Sequence, residues 1–130
     1  MTSKEEKMAI GQDNIFLDLG FTREEAAELL VKSHLISAVR HTIDRRGLTQ
    51  KQAADMCHTD QPTLSKVLRG RMESVTIDRL ASWLTLLGRS VEIRIAPYRS
   101  AKKTHGRLLA VEAHTKKSKP TLSRKQKPQR

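Results

Sequence analysis

The segment 48–70, LTQKQAADMCHTDQPTLSKVLRG, constrains the fold more than any other part of the chain. Thr49 is followed three residues later by Gln52, and this capping-box spacing predicts a short helix that begins at the next residue. Asp60 has the side chain of an N-cap residue, and Pro62 suits the first turn of a second helix. Two short helices joined by a tight turn make a helix-turn-helix unit.

The second predicted helix has an apolar face and a polar face. Leu64 and Val67 lie three residues apart, so they share one side of the helix and are predicted to pack inward. Small residues in the first helix, Ala53 and Ala54, allow the two helices to cross closely. The opposite face carries side chains that can bond to base edges or phosphates, namely Gln61, Thr63, Ser65, Lys66 and Arg69. This arrangement suits the major groove of double-stranded DNA.

A long helix is predicted before this unit. Thr22 and Glu25 have the capping-box spacing, and no helix-breaking residue follows until Gly47. Such a helix is long for a small domain, so its first third is expected to project as an arm or to contain a bend. The apolar segment 14–21, NIFLDLGF, is expected to dock on the domain or on a partner. The core-facing stripe of the helix is predicted to consist of Leu35, Ala38, Val39, Thr42 and Ile43.

A further helix is predicted from about Thr76 to Leu87, closed by Gly88. Its apolar positions form a stripe wider than a single contact requires. Trp83 lies in this stripe, either as a core residue or as an anchor for a partner. Because the wide stripe needs cover, we predict that Trp83 lies at a dimer interface.

Residues 90–96, SVEIRIA, alternate between apolar and polar side chains, which predicts a C-terminal β-strand. A lone strand needs a second edge for its backbone hydrogen bonds. That edge is either residues 14–17 of the same chain or the same strand of a second copy. We predict a homodimer, with its interface formed by Trp83, Val91, Ile93 and Ile95.

Positive charge is concentrated at the C-terminal end. Residues 1–96 contain 14 Lys and Arg against 13 Asp and Glu, whereas residues 97–130 contain 11 Lys and Arg and one acid, Glu112. The predicted organisation is a mobile N-terminus at 1–13, one domain at 14–96 and a disordered basic tail at 97–130. Such a tail raises nonspecific affinity for nucleic acid.

Several function classes are disfavoured by composition. With one cysteine, Cys57, the chain has no internal disulfide and no cysteine-based zinc framework. No nucleophile with its base, phosphate-binding glycine loop or metal-ligand spacing is present, so we expect no catalysis, no cofactor and no metal. His34 and His41 share a helix face but have no carboxylate at a suitable spacing, and a solvated face is expected there. No signal peptide or membrane-spanning run is recognised, and a cytoplasmic location is expected.

The motif resembles the signature of the lambda-repressor-like, or xenobiotic-response-element (XRE), regulators. In that family L-T-Q begins one helix and R-G follows the recognition helix. The matching residues are Leu48, Thr49, Gln50, Ala54, Thr63, Leu64, Ser65, Arg69 and Gly70. The resemblance implies a mostly α fold: a lambda-repressor-like helix-turn-helix domain of four to five helices with one C-terminal β-strand.

The resemblance also implies roles for particular residues toward a DNA operator. Gln50 would contact a phosphate, Thr63 the backbone or a base, and Gln61, Ser65 and Lys66 the base edges. The remaining members of the expected DNA-binding set are Thr49, Arg69 and Arg71. His58 stands where the family favours Gly in a left-handed turn, and Pro62 stands at a position often occupied by a base-reading residue.

Within the family, the segments 14–21, 24–40 and 91–95 resemble those of a branch that includes HigA-type antitoxins and related small autoregulators. Two functions are therefore expected: a dimeric repressor, or an antitoxin that binds a small toxin protein through segment 14–21 and the long helix. A third possibility is a nucleoid-associated or RNA-binding protein whose basic tail supplies most of its affinity. Such a protein would differ from a repressor in having little preference for one DNA sequence.

Overall fold

The computed structural model describes residues 14–98 and 106–113. The predictions made for residues 1–13 and for most of the tail lie outside these ranges. Within them the chain is mostly helical, as predicted, with five α-helices. These are α1 (Ile15–Asp18), α2 (Arg23–Arg46), α3 (Gln50–Met56), α4 (Gln61–Leu68) and α5 (Ile77–Leu86), with a 3-10 helix (Met72–Ser74) before α5. No helix in the described ranges is long and apolar enough to cross a membrane.

The predicted capping boxes are confirmed. At the start of α2, the Thr22 hydroxyl accepts the Glu25 N–H at 3.1 Å, while the Glu25 carboxylate accepts the Thr22 N–H at 3.0 Å. The helix then runs uninterrupted for 24 residues to Gly47, which adopts the left-handed conformation with φ 65°. Its first third does not stand free as an arm, because the Asn14 side chain donates to the Ala26 carbonyl at 3.0 Å and holds α1 against it.

The core lies between α2, the two short helices and α5, and the predicted stripe of α2 faces it, with Leu35 partly buried. Trp83 is predicted from the sequence to lie at a dimer interface. This prediction is wrong, because the Trp83 side chain is buried within the single chain and only 2% exposed. Most of the apolar width of α5 is covered within the chain, since Leu80, Trp83, Leu84 and Leu87 are buried, whereas Leu86 is 38% exposed. The end of α3 approaches it there, with the Cys57 sulfur 3.9 Å from the Trp83 carbonyl oxygen.

The predicted C-terminal strand does not form a ladder within the described part of the chain. Residues 89–98 adopt neither helix nor strand, and residues 90–98 make no backbone–backbone hydrogen bond there. Residues 14–17 cannot supply the second edge, since they lie at the start of helix α1. Val91 packs on the core, whereas Ile93 and Ile95 are 85% and 93% exposed.

Residues 106–113 contact the body of the domain, although they fall within the segment predicted to be a disordered tail. The Glu112 carboxylate lies 2.9 Å from Nδ1 of His41 and accepts a hydrogen bond from Arg89 at 3.0 Å. Nδ1 of His34 lies 2.8 Å from the Ala110 carbonyl oxygen. Both histidines are exposed, as expected for a solvated face, but residues 106–113, which are distant in sequence, also contact them.

Candidate nucleic-acid interface

The turn between α3 and α4 is tight and takes a left-handed residue. Cys57 ends α3, and His58 follows with φ 58°, the only non-glycine residue with positive φ among those described. The Thr59 N–H donates to the Ala54 carbonyl at 3.0 Å and closes the turn. This is the position at which the family favours Gly, and His takes the same conformation with some strain. The expected helix-turn-helix geometry is retained.

Helix α4 is fixed at both of its ends. At its start, the Asp60 carboxylate accepts the Thr63 N–H at 2.7 Å. Hydrogen bonds from Thr63 lower the pKa of Asp60, so the cap is ionised at neutral pH. At its end, the Arg40 guanidinium donates to the Leu68 carbonyl. A helix held in this way presents its outer side chains in a defined position.

The inner face of α4 is buried as predicted, with Leu64 and Val67 both 0% exposed. The outer residues of the predicted DNA-binding set are accessible in different degrees. Thr63 and Ser65 are half-buried, and Gln61, Lys66, Arg69 and Arg71 are exposed. Pro62 is also exposed and lies one helical turn before Lys66, so it occupies part of the outer face without a group that could read a base.

Thr49 and Gln50 lie at the start of α3, and the structure gives them different roles. The Thr49 hydroxyl accepts the Gln52 N–H at 3.0 Å, and the Thr49 N–H donates to the Gln52 side chain at 2.8 Å. The polar groups of Thr49 are thus engaged in a cap. Gln50 is half-buried and has no such engagement in the described chain.

A surface cleft brings together two predicted residues and one that the sequence did not indicate. Gln50, Arg69 and Arg40 all line this cleft, which lies between α2, the start of α3 and the end of α4. Arg40 belongs to α2, and nothing in its sequence context indicates proximity to the recognition helix. The cleft also contains Asp44, which offsets part of the positive charge.

Within the described residues, neither an ionised thiol nor a cluster of metal ligands accompanies this surface. Burial raises the pKa of the Cys57 thiol to about 11, so the thiol is protonated at neutral pH. Within 14–98 and 106–113, no three His, Cys, Asp or Glu side chains come together in a way that could hold a metal ion.

These features define a helix-turn-helix domain, with a capped and anchored second helix that exposes polar and basic side chains. A family model described as "Helix-turn-helix domain" matches residues 15–96, and the chain belongs to that family. Among solved structures, the chain is similar to a protein named as an XRE-family transcriptional regulator, with 30% sequence identity and a TM-score of 0.62. The match covers 68% of this chain and 99% of the other. A search of curated proteins found no match.

Proposed function

We propose that this protein is a sequence-specific double-stranded DNA-binding transcriptional regulator that acts as a homodimeric repressor. The observation that carries the proposal is the exposed polar face of α4, held at its start by Asp60 and at its end by Arg40. A rigid helix loses little conformational entropy when it enters the major groove. The 30% identity to a protein with an XRE-regulator name over nearly all of that protein supports the same function.

In the proposed complex, α4 lies in the major groove, where some of its side chains contact base edges and others contact the DNA backbone. Gln61, Ser65 and Lys66 contact base edges, since these groups can donate to or accept from them. Thr63, Arg69 and Arg71 contact the backbone, as does Gln50 at the start of α3, and these contacts fix the position of α4 without reading sequence. The basic tail beyond residue 113 adds affinity for any DNA.

Repression in this proposal is steric and needs no chemistry. A dimer that occupies an operator excludes polymerase from the same DNA, in a cytoplasmic setting. Two recognition helices related by a two-fold axis would read half-sites about one helical turn apart.

Selection of bound sequences from a random DNA pool tests the proposal. We expect an enriched site with two-fold symmetry, bound at least about 1,000-fold more tightly than random DNA at physiological salt. Equal affinity for selected and random DNA would refute sequence-specific regulation and would favour nonspecific nucleic-acid binding through the basic tail.

A pair of charge-removing variants then tests the assigned face. Lys66→Ala is expected to weaken binding to the selected site about 10-fold or more. Arg23→Ala is the matched control: Arg23 is exposed and lies 17 residues before Arg40 on α2, or about 25 Å along the helix. The control is expected to bind within about twofold of the unmodified protein, since Debye screening limits its influence at that distance. Equal losses in both variants would show that charge alone, not the α4 face, governs binding.

An antitoxin function is the second candidate, and it is favoured by the surface around α1. Ile15, Leu17, Leu19 and Phe21 are 57%, 43%, 65% and 41% exposed, while Asn14 is buried and fixes the segment to α2. A fixed apolar patch of this kind suits a protein partner. Co-expression with the product of an adjacent small open reading frame tests it: a stable complex that is lost in Leu19→Glu supports an antitoxin, and no complex refutes it.

A further inference from the structure

The exposed segment 91–95 has the properties of a strand that lacks its partner. Its backbone N–H and C=O groups have no backbone partners within the part of the chain that the structure describes, and such groups bind readily to another strand. Val91 is partly buried against the core, while Ile93 and Ile95, which alternate with it in the sequence, are almost fully exposed. Two isoleucines in this state mark an apolar surface that needs cover.

No segment among the described residues 14–98 and 106–113 provides that cover. Residues 14–17 lie at the start of a helix, and residues 106–113 are held against α2 by the Glu112 contacts. No backbone hydrogen bond joins 91–98 to 106–113. A second copy of the same segment is the occupant that the sequence pattern supports.

We infer that two copies pair through this segment as antiparallel strands, with the two-fold axis at Ile93; the inference rests on the proposed homodimeric function. In this register Glu92 lies opposite the partner's Arg94, and Arg94 opposite the partner's Glu92. On the other side, Val91 lies opposite the partner's Ile95, and Ile93 opposite its own copy. Opposite charges directly across from each other stabilise an antiparallel pair, and apolar pairs do the same.

Other registers lose this complementarity. A two-fold axis at Glu92 or at Arg94 places identical charges opposite each other, and a parallel in-register pair does so for both residues. A shift by one residue places apolar side chains opposite charged ones. The Ile93-centred register also carries the partner's Ile95 toward Val91, at the edge of the core.

Two charge reversals test the register by sedimentation equilibrium at low salt, where exposed pairs are least screened. Glu92→Arg and Arg94→Glu each create two like-charge pairs in their own homodimer, and we expect each to dimerise on the order of 30-fold more weakly. An equimolar mixture of the two variants restores opposite charges at both positions, and so does the double variant E92R/R94E. Both are expected to dimerise about as tightly as the unmodified protein.

Each outcome bears on one claim. The Ile93-centred register is overturned if the single variants dimerise like the unmodified protein, or if their mixture remains monomeric. The proposed function stands in either case, provided that the unmodified protein binds its selected DNA as a dimer. A chain that recovers dimerisation on mixing but selects no DNA sequence supports the register and overturns the proposed function. Thermal melting of each variant at low protein concentration checks that the exposed charges leave the monomer folded.

Discussion

Glu112 anchors residues 106–113 to α2, and its removal is expected to detach them. The Glu112 side chain is 12% exposed and lies between His41 and Arg89, whose side chains are 51% and 26% exposed. Arg89 also donates to the Thr42 hydroxyl at 2.9 Å, which keeps the guanidinium in place. Replacing Glu112 by Ala removes both contacts and frees the segment from α2.

The expected cost follows from the exposure of each partner. A hydrogen bond between charged groups contributes about 1.5–3 kcal/mol when it is buried. The half-exposed His41 contact is worth less, about 0.2–1 kcal/mol, because solvent screens it. A total of about 2 kcal/mol then raises the population of the detached segment about 30-fold. The cost falls on local anchoring, since the core of the domain is formed by other residues.

Backbone ¹⁵N relaxation of residues 108–112 measures this detachment. Order parameters near 0.85 are expected in the unmodified protein and below about 0.6 in Glu112→Ala. Glu73→Ala is the matched control, since Glu73 is exposed and makes no ion pair within the described residues. Unchanged order parameters in Glu112→Ala would show that Glu112 does not anchor the segment, and an equal loss of order in the control would show that the effect is not specific to Glu112.

The same contact predicts a dependence on pH. Burial by itself raises the pKa of Glu112, but hydrogen bonds from His41 and Arg89 outweigh burial and hold the pKa below its ordinary value of 4.5. A lowered pKa in the folded state means that the anchoring is fully present above about pH 4.5 and is lost as the pH falls through the folded-state pKa. Order in residues 108–112 is therefore expected to decrease on acidification, and to be independent of pH in this acidic range in Glu112→Ala.

Three further predictions concern the cap, the core and the tail. Thr49→Ala removes the cap of α3 and is expected to lower the free energy of unfolding by about 1 kcal/mol, whereas Thr49→Ser keeps the capping hydroxyl. Equal stability of the two variants in urea unfolding would show that the cap contributes nothing. Leu64→Ala is expected to cost about 2–5 kcal/mol because the side chain is fully buried, and a loss below 1 kcal/mol in the same assay would contradict its place in the core. Removal of residues 114–130 deletes seven Lys and Arg, so binding to selected and random DNA is expected to weaken equally, and the affinity is expected to depend less on salt concentration. A loss of affinity confined to the selected site would show that the tail reads sequence.

Local structure in this protein could be predicted from residues that are neighbours along the chain. Helix starts were predictable at Thr22, Thr49 and Asp60, because each cap is formed by residues at most three positions apart. The division of α4 into a buried face and an exposed face followed from spacing for the same reason. These features depend on neighbours along the chain, so no knowledge of the fold was needed to place them.

Features that join residues distant in sequence depend on the packing of the whole chain. Trp83 is in the core rather than at an interface because the end of α3 and α2 cover α5, which a helical pattern cannot reveal. Arg40 anchors the recognition helix across 28 residues of sequence, and Glu112 reaches His41 across 71. Periodicity reports which side of a helix is apolar, but which segment covers that side depends on how the whole chain packs.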